Sequence, residues 1–210
     1  MKVNKKPTGL YKLTSDDVKE ACKVAGRAFA DDPVMVFTYP DEKERNQKAQ
    51  YGFNMIYIYG IKYGLTYAIS ENLEGITVWL PSDMVYPSIW TMMRNGGFYT
   101  MRKIGLKLKV IKKSMAIFKY QEERHRALVP FDHWYFQNIA IEPEEQGKGN
   151  GSLLISTMLK TIESDGLPVF VETNTEKAAS IYQKHGFEIL EYTIIPETDV
   201  PLWCMLRKPR

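Results

Sequence analysis

Long apolar runs are missing from this sequence. No stretch approaches the roughly twenty residues that a bilayer-spanning helix needs, and the start, MKVNKKPTGLYKL, lacks the apolar centre of a secretory signal. A soluble, cytoplasmic protein without membrane partners is the expectation. Cysteine is nearly absent too: Cys22 and Cys204 form neither a CxxC pair nor part of a Cys/His cluster, so a disulfide framework is excluded and buried, reduced thiols are expected. The three histidines, His125, His133 and His185, have no metal-ligand spacing; packing, capping or hydrogen bonding is their expected use, and no metal is expected. A strong charge bias is also lacking. The net charge of +3 does not argue for a nucleic-acid partner. With no internal repeat and no low-complexity linker, residues 1–210 read as a single domain, monomeric or homodimeric, divided into an N-terminal half (9–130) and a C-terminal half (131–210).

What is present is enough apolar sequence, 44%, to build one substantial core. Tyr11-Lys12-Leu13 reads as a short strand. Thr14, with Asp17 three residues on, caps a helix through Ala28 that Asp31-Asp32-Pro33 breaks. An aromatic-rich helix is expected over Glu44–Tyr63, then an antiparallel pair of strands, Leu65–Ile69 and Ile76–Leu80. From Ser88 to Leu128 the pattern is helical, with Ile104, Leu108, Ile111, Met115 and Phe118 as one apolar stripe. Charge concentrates in this segment: between Arg94 and Arg126 there are ten Lys and Arg against two acids. That block is either a solvated helix face or a basic wall beside an anionic ligand. The C-terminal half alternates more regularly: a strand His133–Ile141, a helix Gly151–Ser164, a strand Val169–Thr173, a helix Glu176–His185 closed by Gly186, and strands near 187–195 and 202–206.

One turn carries chemistry. Between the 133–141 strand and the following helix stands Gln146-Gly147-Lys148-Gly149-Asn150-Gly151-Ser152. A glycine-rich turn opening a helix presents free backbone N–H groups where the helix dipole favours negative charge. A Walker loop would need Lys after its last glycine, where Ser152 stands. A dinucleotide fingerprint would need a third glycine at Ser152, and the turn falls too late in the chain for that fold. The spacing that fits is Q/R-x-x-G-x-G/A, met by Gln146, Gly149 and Gly151.

In these residues the sequence resembles the GCN5-related N-acetyltransferase (GNAT) family. Ile139-Ala140-Ile141-Glu142-Pro143 is similar to that family's central strand and its exit, and Ala178, Tyr182 and Gly186-Phe187 to its closing A-xxx-Y-xxx-GF pattern. HWYFQNIAIEPEEQGKGNGS, VFVETNTEKAASIYQKHGF and PLWCMLRKP resemble segments of the puromycin N-acetyltransferase branch, as do AFADDP and VWLP less specifically. The resemblance implies an α/β (α+β) fold with a mixed, mostly antiparallel central sheet flanked by helices, and a helical insertion before the central strand. It implies acetyl-CoA as co-substrate and a small-molecule amine as acceptor. A protein N-terminus or lysine as acceptor, or a non-catalytic coenzyme A sensor of the same fold, are the alternatives.

The same resemblance assigns roles. Backbone groups along Ile139, Ala140 and Ile141 pair with the pantetheine arm, and main-chain groups of Gln146, Gly147, Lys148, Gly149, Asn150, Gly151 and Ser152 take the pyrophosphate. Tyr182 protonates the leaving sulfur and Glu172 accepts the amine proton, with Glu142 as a weaker rival. Where many members carry Asn, seven residues before the tyrosine, this chain has Thr175, with Asn174 one residue off. The acceptor pocket falls to the N-terminal helices, where Tyr57, Trp79, Trp90, Phe98 and Tyr135 are either pocket walls or core.

Overall fold

The computed structural model of the chain describes residues 5–105 and 108–209, without the side chain of Leu108. Segments rich in β-branched and aromatic residues form β1 (Tyr11–Lys12), β2 (Leu65–Ala68), β3 (Gly75–Pro81), β4 (Trp134–Ile141), β5 (Val169–Thr173), β6 (Glu188–Ile194) and β7 (Pro201–Arg207). They make one sheet in the order β1-β2-β3-β4-β5-β7-β6. Every pairing is antiparallel except β4 with β5. The helices are α1 (Val18–Ala28), α2 (Pro33–Thr38), α3 (Glu42–Tyr63), α4 (Ile89–Met92), α5 (Phe98–Ile104), α6 (Leu108–Leu128), α7 (Asn150–Ile162) and α8 (Glu176–Lys184). This is the mixed, mostly antiparallel sheet flanked by helices that the sequence led us to expect.

Capping residues decide where the first helices begin. The Asp17 carboxylate accepts from the Thr14 N–H and hydroxyl, both at 2.8 Å, and starts α1 through one 3-10 turn. Asp32 accepts from the Val34 N–H at 2.9 Å, with Pro33 at the first helical position, where its missing N–H leaves nothing unpaired. Asp31-Asp32-Pro33 therefore ends one helix and opens another, α2, which the breaker alone did not announce.

The segment expected to be helical from Ser88 to Leu128 is interrupted twice. Asn95 (φ −105°, ψ 46°) and Gly96 (φ 99°) kink it between α4 and α5, and Gly105 (φ 77°) closes α5. Residues 106 and 107, which fall inside that expectation, lie outside the described residues, as does the Leu108 side chain. The expected stripe is corrected as well. Met115 and Phe118 are exposed, while Ile117 and His125 are buried. A break at Gly105 resets the helical phase, so Ile104 does not continue into α6, and α6 instead turns its Ile117–His125 side to the sheet.

Two faces of the sheet are covered differently. On one, α7 and α8 pack Ile155, Met158 and Tyr182 against Trp79, Phe136, Val169 and Val171. On the other, α1 and α3 cover Ile76, Val78 and Ala140, and α6 covers Tyr135, Phe170 and Cys204. Cys22 and Cys204 sit in separate clusters of that second face, both free.

Close approach of α3 to the sheet depends on glycine. A Cβ on Gly64 would lie 2.3 Å from the Trp79 carbonyl oxygen and 2.6 Å from Leu80 Cδ2, whereas one on Gly52 would meet nothing within 4 Å. Gly64→Ala is expected to cost about 1–3 kcal/mol in urea denaturation. Gly52→Ala, within α3, is expected to gain up to about 1 kcal/mol in the same measurement.

Candidate active site

The site begins with one surplus residue. Along β3 and β4, Val78 faces Asn138 but Trp79 faces Phe136, so Gln137 is an extra residue in β4, a bulge. Side chains secure it. The Thr77 hydroxyl donates to the Asn138 carbonyl (3.1 Å) and accepts from Trp79 Nε1 (2.7 Å), while the Tyr57 hydroxyl donates to Asn138 Oδ1 (3.3 Å). Trp79 stacks on Phe136, centroids 4.3 Å apart.

Beyond the bulge β4 leaves β5. Their parallel ladder has three rungs, Trp134–Val169, Tyr135–Phe170 and Phe136–Val171. From Gln137 to Ile141, β4 has no strand beside it on the β5 side among the described residues. Ile139, Ala140 and Ile141 thus present a free strand edge inside the sheet, able to hydrogen-bond an extended polar ligand as a further strand would.

The glycine turn lies at the end of that edge. Gly147 (φ 79°) and Gly149 (φ 89°) are left-handed, and a Cβ on either would point into open space. The α7 ladder starts with the Leu153 N–H on the Gly149 carbonyl (2.9 Å), which leaves the Asn150, Gly151 and Ser152 N–H groups ahead of it. No acid stands in the first turn of α7. The polar side chains brace the turn: Lys148 Nζ pairs with Glu145 (2.8 Å), Asn150 Nδ2 donates to the Glu145 carbonyl (3.2 Å), and Gln146 Nε2 to the Ile141 carbonyl (3.3 Å). A main-chain cradle of this kind fits a pyrophosphate.

Two candidate proton groups flank the gap from opposite faces. Glu172 is the first β5 residue past the last rung. Its Oε2 accepts from the Tyr135 hydroxyl at 2.9 Å and its Oε1 faces the Cys204 Sγ at 3.9 Å. Burial pushes its pKa up to about 8, against the smaller opposing effect of those two donors. Tyr182, on the α7 side, packs against Phe136 and Phe187. Burial, with a smaller contribution from the Asp32 charge, raises the pKa of its phenol well above the usual value, so it keeps its proton at any working pH.

A second carboxyl, Asp32 at the start of α2, is near enough for its charge to act on Tyr182. Asp32 has its pKa raised to about 6 by burial, against two backbone N–H groups that favour the charged form. In the sequence Asp32 stands only in the Asp31-Asp32-Pro33 breaker and in the AFADDP segment; the signal available was Asp immediately before a Pro that opens a helix.

Other expected residues are drawn elsewhere. Glu142 is held by a two-pronged pair with Arg27, 2.7 Å on each prong, which ties α1 to the exit of β4. Thr175 caps α8 and accepts from the Ala178 N–H, while Asn174 Nδ2 donates to the Pro201 carbonyl at 2.6 Å, so neither is a free arm at the gap. Of the five aromatic residues expected as pocket walls or core, Tyr57 and Trp79 are core, Trp90 and Phe98 are exposed, and Tyr135 is buried with its hydroxyl on Glu172. The basic block is partly neutralised: Lys113 donates to the Phe37 carbonyl, Arg126 pairs with Glu122, and Arg124 with Glu191.

Comparison with known proteins gives this geometry a class. The acetyltransferase (GNAT) domain model matches residues 109–189, which span α6, β4, the turn, α7, β5 and α8. An uncharacterized N-acetyltransferase of Schizosaccharomyces pombe is 25% identical over 211 residues, 94% of this chain and 82% of that protein. A structure described as histone acetyltransferase HPA2 and related acetyltransferase, from Corynebacterium glutamicum, matches with a TM-score of 0.66 at 19% identity over 96% of both chains. A polyamine N-acetyltransferase from Drosophila melanogaster matches at 0.62 and 12% identity over 95% of this chain and 98% of that one. Residues 109–189 carry a GNAT acetyltransferase domain. The chain is an N-acetyltransferase by class, and the fold implies acetyl-CoA as co-substrate.

Gly149→Ala keeps the turn uncrowded but forces an L residue to a positive φ. About 1 kcal/mol of stability is the expected loss, together with at least a tenfold weaker acetyl-CoA dissociation constant in calorimetry. An unchanged constant would detach the turn from the co-substrate.

Proposed function

We propose that this chain is a one-domain cytoplasmic enzyme that moves an acetyl group from acetyl-CoA to the primary amine of a small molecule by direct attack. In this reading Glu172 takes the amine proton and Tyr182 protonates the leaving sulfur. The observation that carries it is the gap itself: a free β4 edge leading to an anion cradle, with a carboxyl on one face and a phenol on the other.

Acetyl-CoA, when bound, supplies an acyl group already activated as a thioester. Ile139–Ile141 offer main-chain groups to its polar arm, and the N–H groups opening α7 meet its phosphates. Glu172 works only when ionised. Its Oε2 is held by Tyr135 at 2.9 Å and its Oε1 only by the weaker, 3.9 Å contact of the Cys204 thiol, so Oε1 is the oxygen to receive a proton from an amine. Tyr182 stays protonated throughout and remains a donor.

A small amine is favoured over a protein by two likenesses. One is the sequence resemblance to the puromycin N-acetyltransferase branch; the other is the fold shared with the polyamine N-acetyltransferase. The fold shared with the HPA2-related protein supports the protein-acetylating alternative. Two free, buried thiols fit a reducing compartment.

The test is thiol release from acetyl-CoA with a panel of polyamines, arylalkylamines, puromycin, aminoglycosides and peptides. Release with a small amine supports the reading; release with peptides alone favours a protein acceptor. Binding of acetyl-CoA without release across the panel would make the chain a sensor. With the best acceptor, Tyr182→Phe is expected to lower kcat about a hundredfold while the acetyl-CoA dissociation constant holds.

The pH profile separates the two carboxyls. A base must be ionised, and a raised pKa moves that condition to higher pH. With Glu172 as base, kcat/KM rises up to about pH 8 and levels above it. A rise centred near pH 6 would give the role to Asp32 instead.

A further inference from the structure

Behind Glu172, on the face away from α7, lies a chain of hydrogen bonds that the proposed chemistry does not use. Its members are Tyr86, His125 and His133, with both histidines almost fully buried. The geometry fixes every proton. His133 Nδ1 lies 2.7 Å from the Phe131 carbonyl, which can only accept, so Nδ1 carries the hydrogen and Nε2 of the neutral ring is bare. His125 Nε2, 2.7 Å from that bare nitrogen, must donate, which leaves its own Nδ1 bare. The Tyr86 hydroxyl, 2.6 Å away, donates there. Burial holds both rings neutral; for His125, repulsion from the Arg126 charge and from any proton on His133 adds to it, and its pKa is lowered to about 3.

Bonded at both nitrogens, the His125 ring has a fixed plane. It is stacked on Tyr135 (centroids 5.0 Å, 18° between planes) and on Phe170 (4.5 Å, 11°). The Tyr135 ring that rests on it delivers the hydroxyl to Glu172 Oε2. We propose that Tyr86, His125 and His133 are positioning residues, whose hydrogen-bond chain holds Tyr135 in the pose that donates to Glu172 and thereby sets the proton affinity of that carboxyl. Its importance for turnover rests on the reading of Glu172 as the base; its effect on Glu172 does not.

The groups around Glu172 are few enough to predict the sign. Tyr135 faces it from β4 and Cys204 from β7, while Tyr86, after β3, feels its charge. A hydroxyl donated to a carboxylate favours the ionised form, so loosening Tyr135 raises the Glu172 pKa. Around His125 stand Tyr86, His133, Tyr135 and Arg126, whose guanidinium lies 4.7 Å over the Tyr86 ring.

The experiment is a carboxyl-carbon NMR titration of the full chain labelled with carbon-13 glutamate, the Glu172 signal being the one lost in Glu172→Gln. In Tyr135→Phe the Glu172 midpoint is expected to rise by about one pH unit. Tyr86→Phe, which touches neither Tyr135 nor Glu172 by a hydrogen bond, is expected to raise it by about half a unit through the chain. A midpoint unmoved in Tyr86→Phe overturns the proposal and leaves the histidines as packing. Nitrogen-15 shifts of the wild-type histidines give an answer that no variant's folding affects. His125 protonated at Nε2 and His133 at Nδ1 is the expected pair, and any other pair of tautomers overturns the chain. Turnover separates the two readings: kcat/KM indifferent to the measured Glu172 midpoint removes Glu172 as base, whereas the positioning claim stands or falls on the titration.

Discussion

Gln137 gives β4 one residue more than β3 matches, and the consequences of that surplus run through the sheet. A bulge increases local twist and bends its strand, so β4 and β5 keep only three rungs before they separate. Among the described residues, the main-chain donors and acceptors of the strand that emerges have no sheet partner on that side. Buried backbone groups left unpaired cost about 1–3 kcal/mol each. A fold that keeps such an edge open inside its sheet holds a place for something that completes the ladder. Thr77, Trp79, Tyr57 and Asn138 tie the bulge down with side-chain hydrogen bonds, so the opening is a fixed feature of the core.

Everything chemical is arranged around that opening. The turn at its end is all main chain, because Gln146, Lys148 and Asn150 spend their side chains on the turn's own shape. Past the last rung, alternation along β5 sends Glu172 to one face while Val171 packs on the other, where Tyr182 lies. Acid and base candidates are kept apart by the sheet, and both are held toward their protonated forms by burial. Tyr182 therefore keeps its proton under all working conditions, while Glu172 loses its own only as the solution turns mildly alkaline.

Local chemistry is what the sequence exposed well. The glycine turn, the helix after it, the Tyr182 helix with its Gly186 end and the order of the C-terminal strands are set by neighbours in the chain, and each lies close to where spacing put it. Features set by distant partners were not legible. Gln137 looks like any strand residue, and only the register with β3 makes it a surplus one. The break at Gly105 was visible as a glycine, yet the basic, apolar pattern on either side read as one helix, and the phase of the buried stripe in α6 followed the sheet instead. Tyr57 and Trp79 were indistinguishable from pocket aromatics until packing made them core. The link between His125 and His133 joins α6 to β4 across a loop, and no spacing rule for metal or catalysis covers it.

The central claim is that the β4 edge beyond Gln137 and the cradle at the start of α7 hold one ligand together. Amide hydrogen exchange with and without acetyl-CoA tests it directly. The account predicts new protection at Ile139–Ile141 and at Asn150–Ser152 on the same titration curve, with little change along β6. Protection of the turn alone, with the β4 amides exchanging as before, would contradict it.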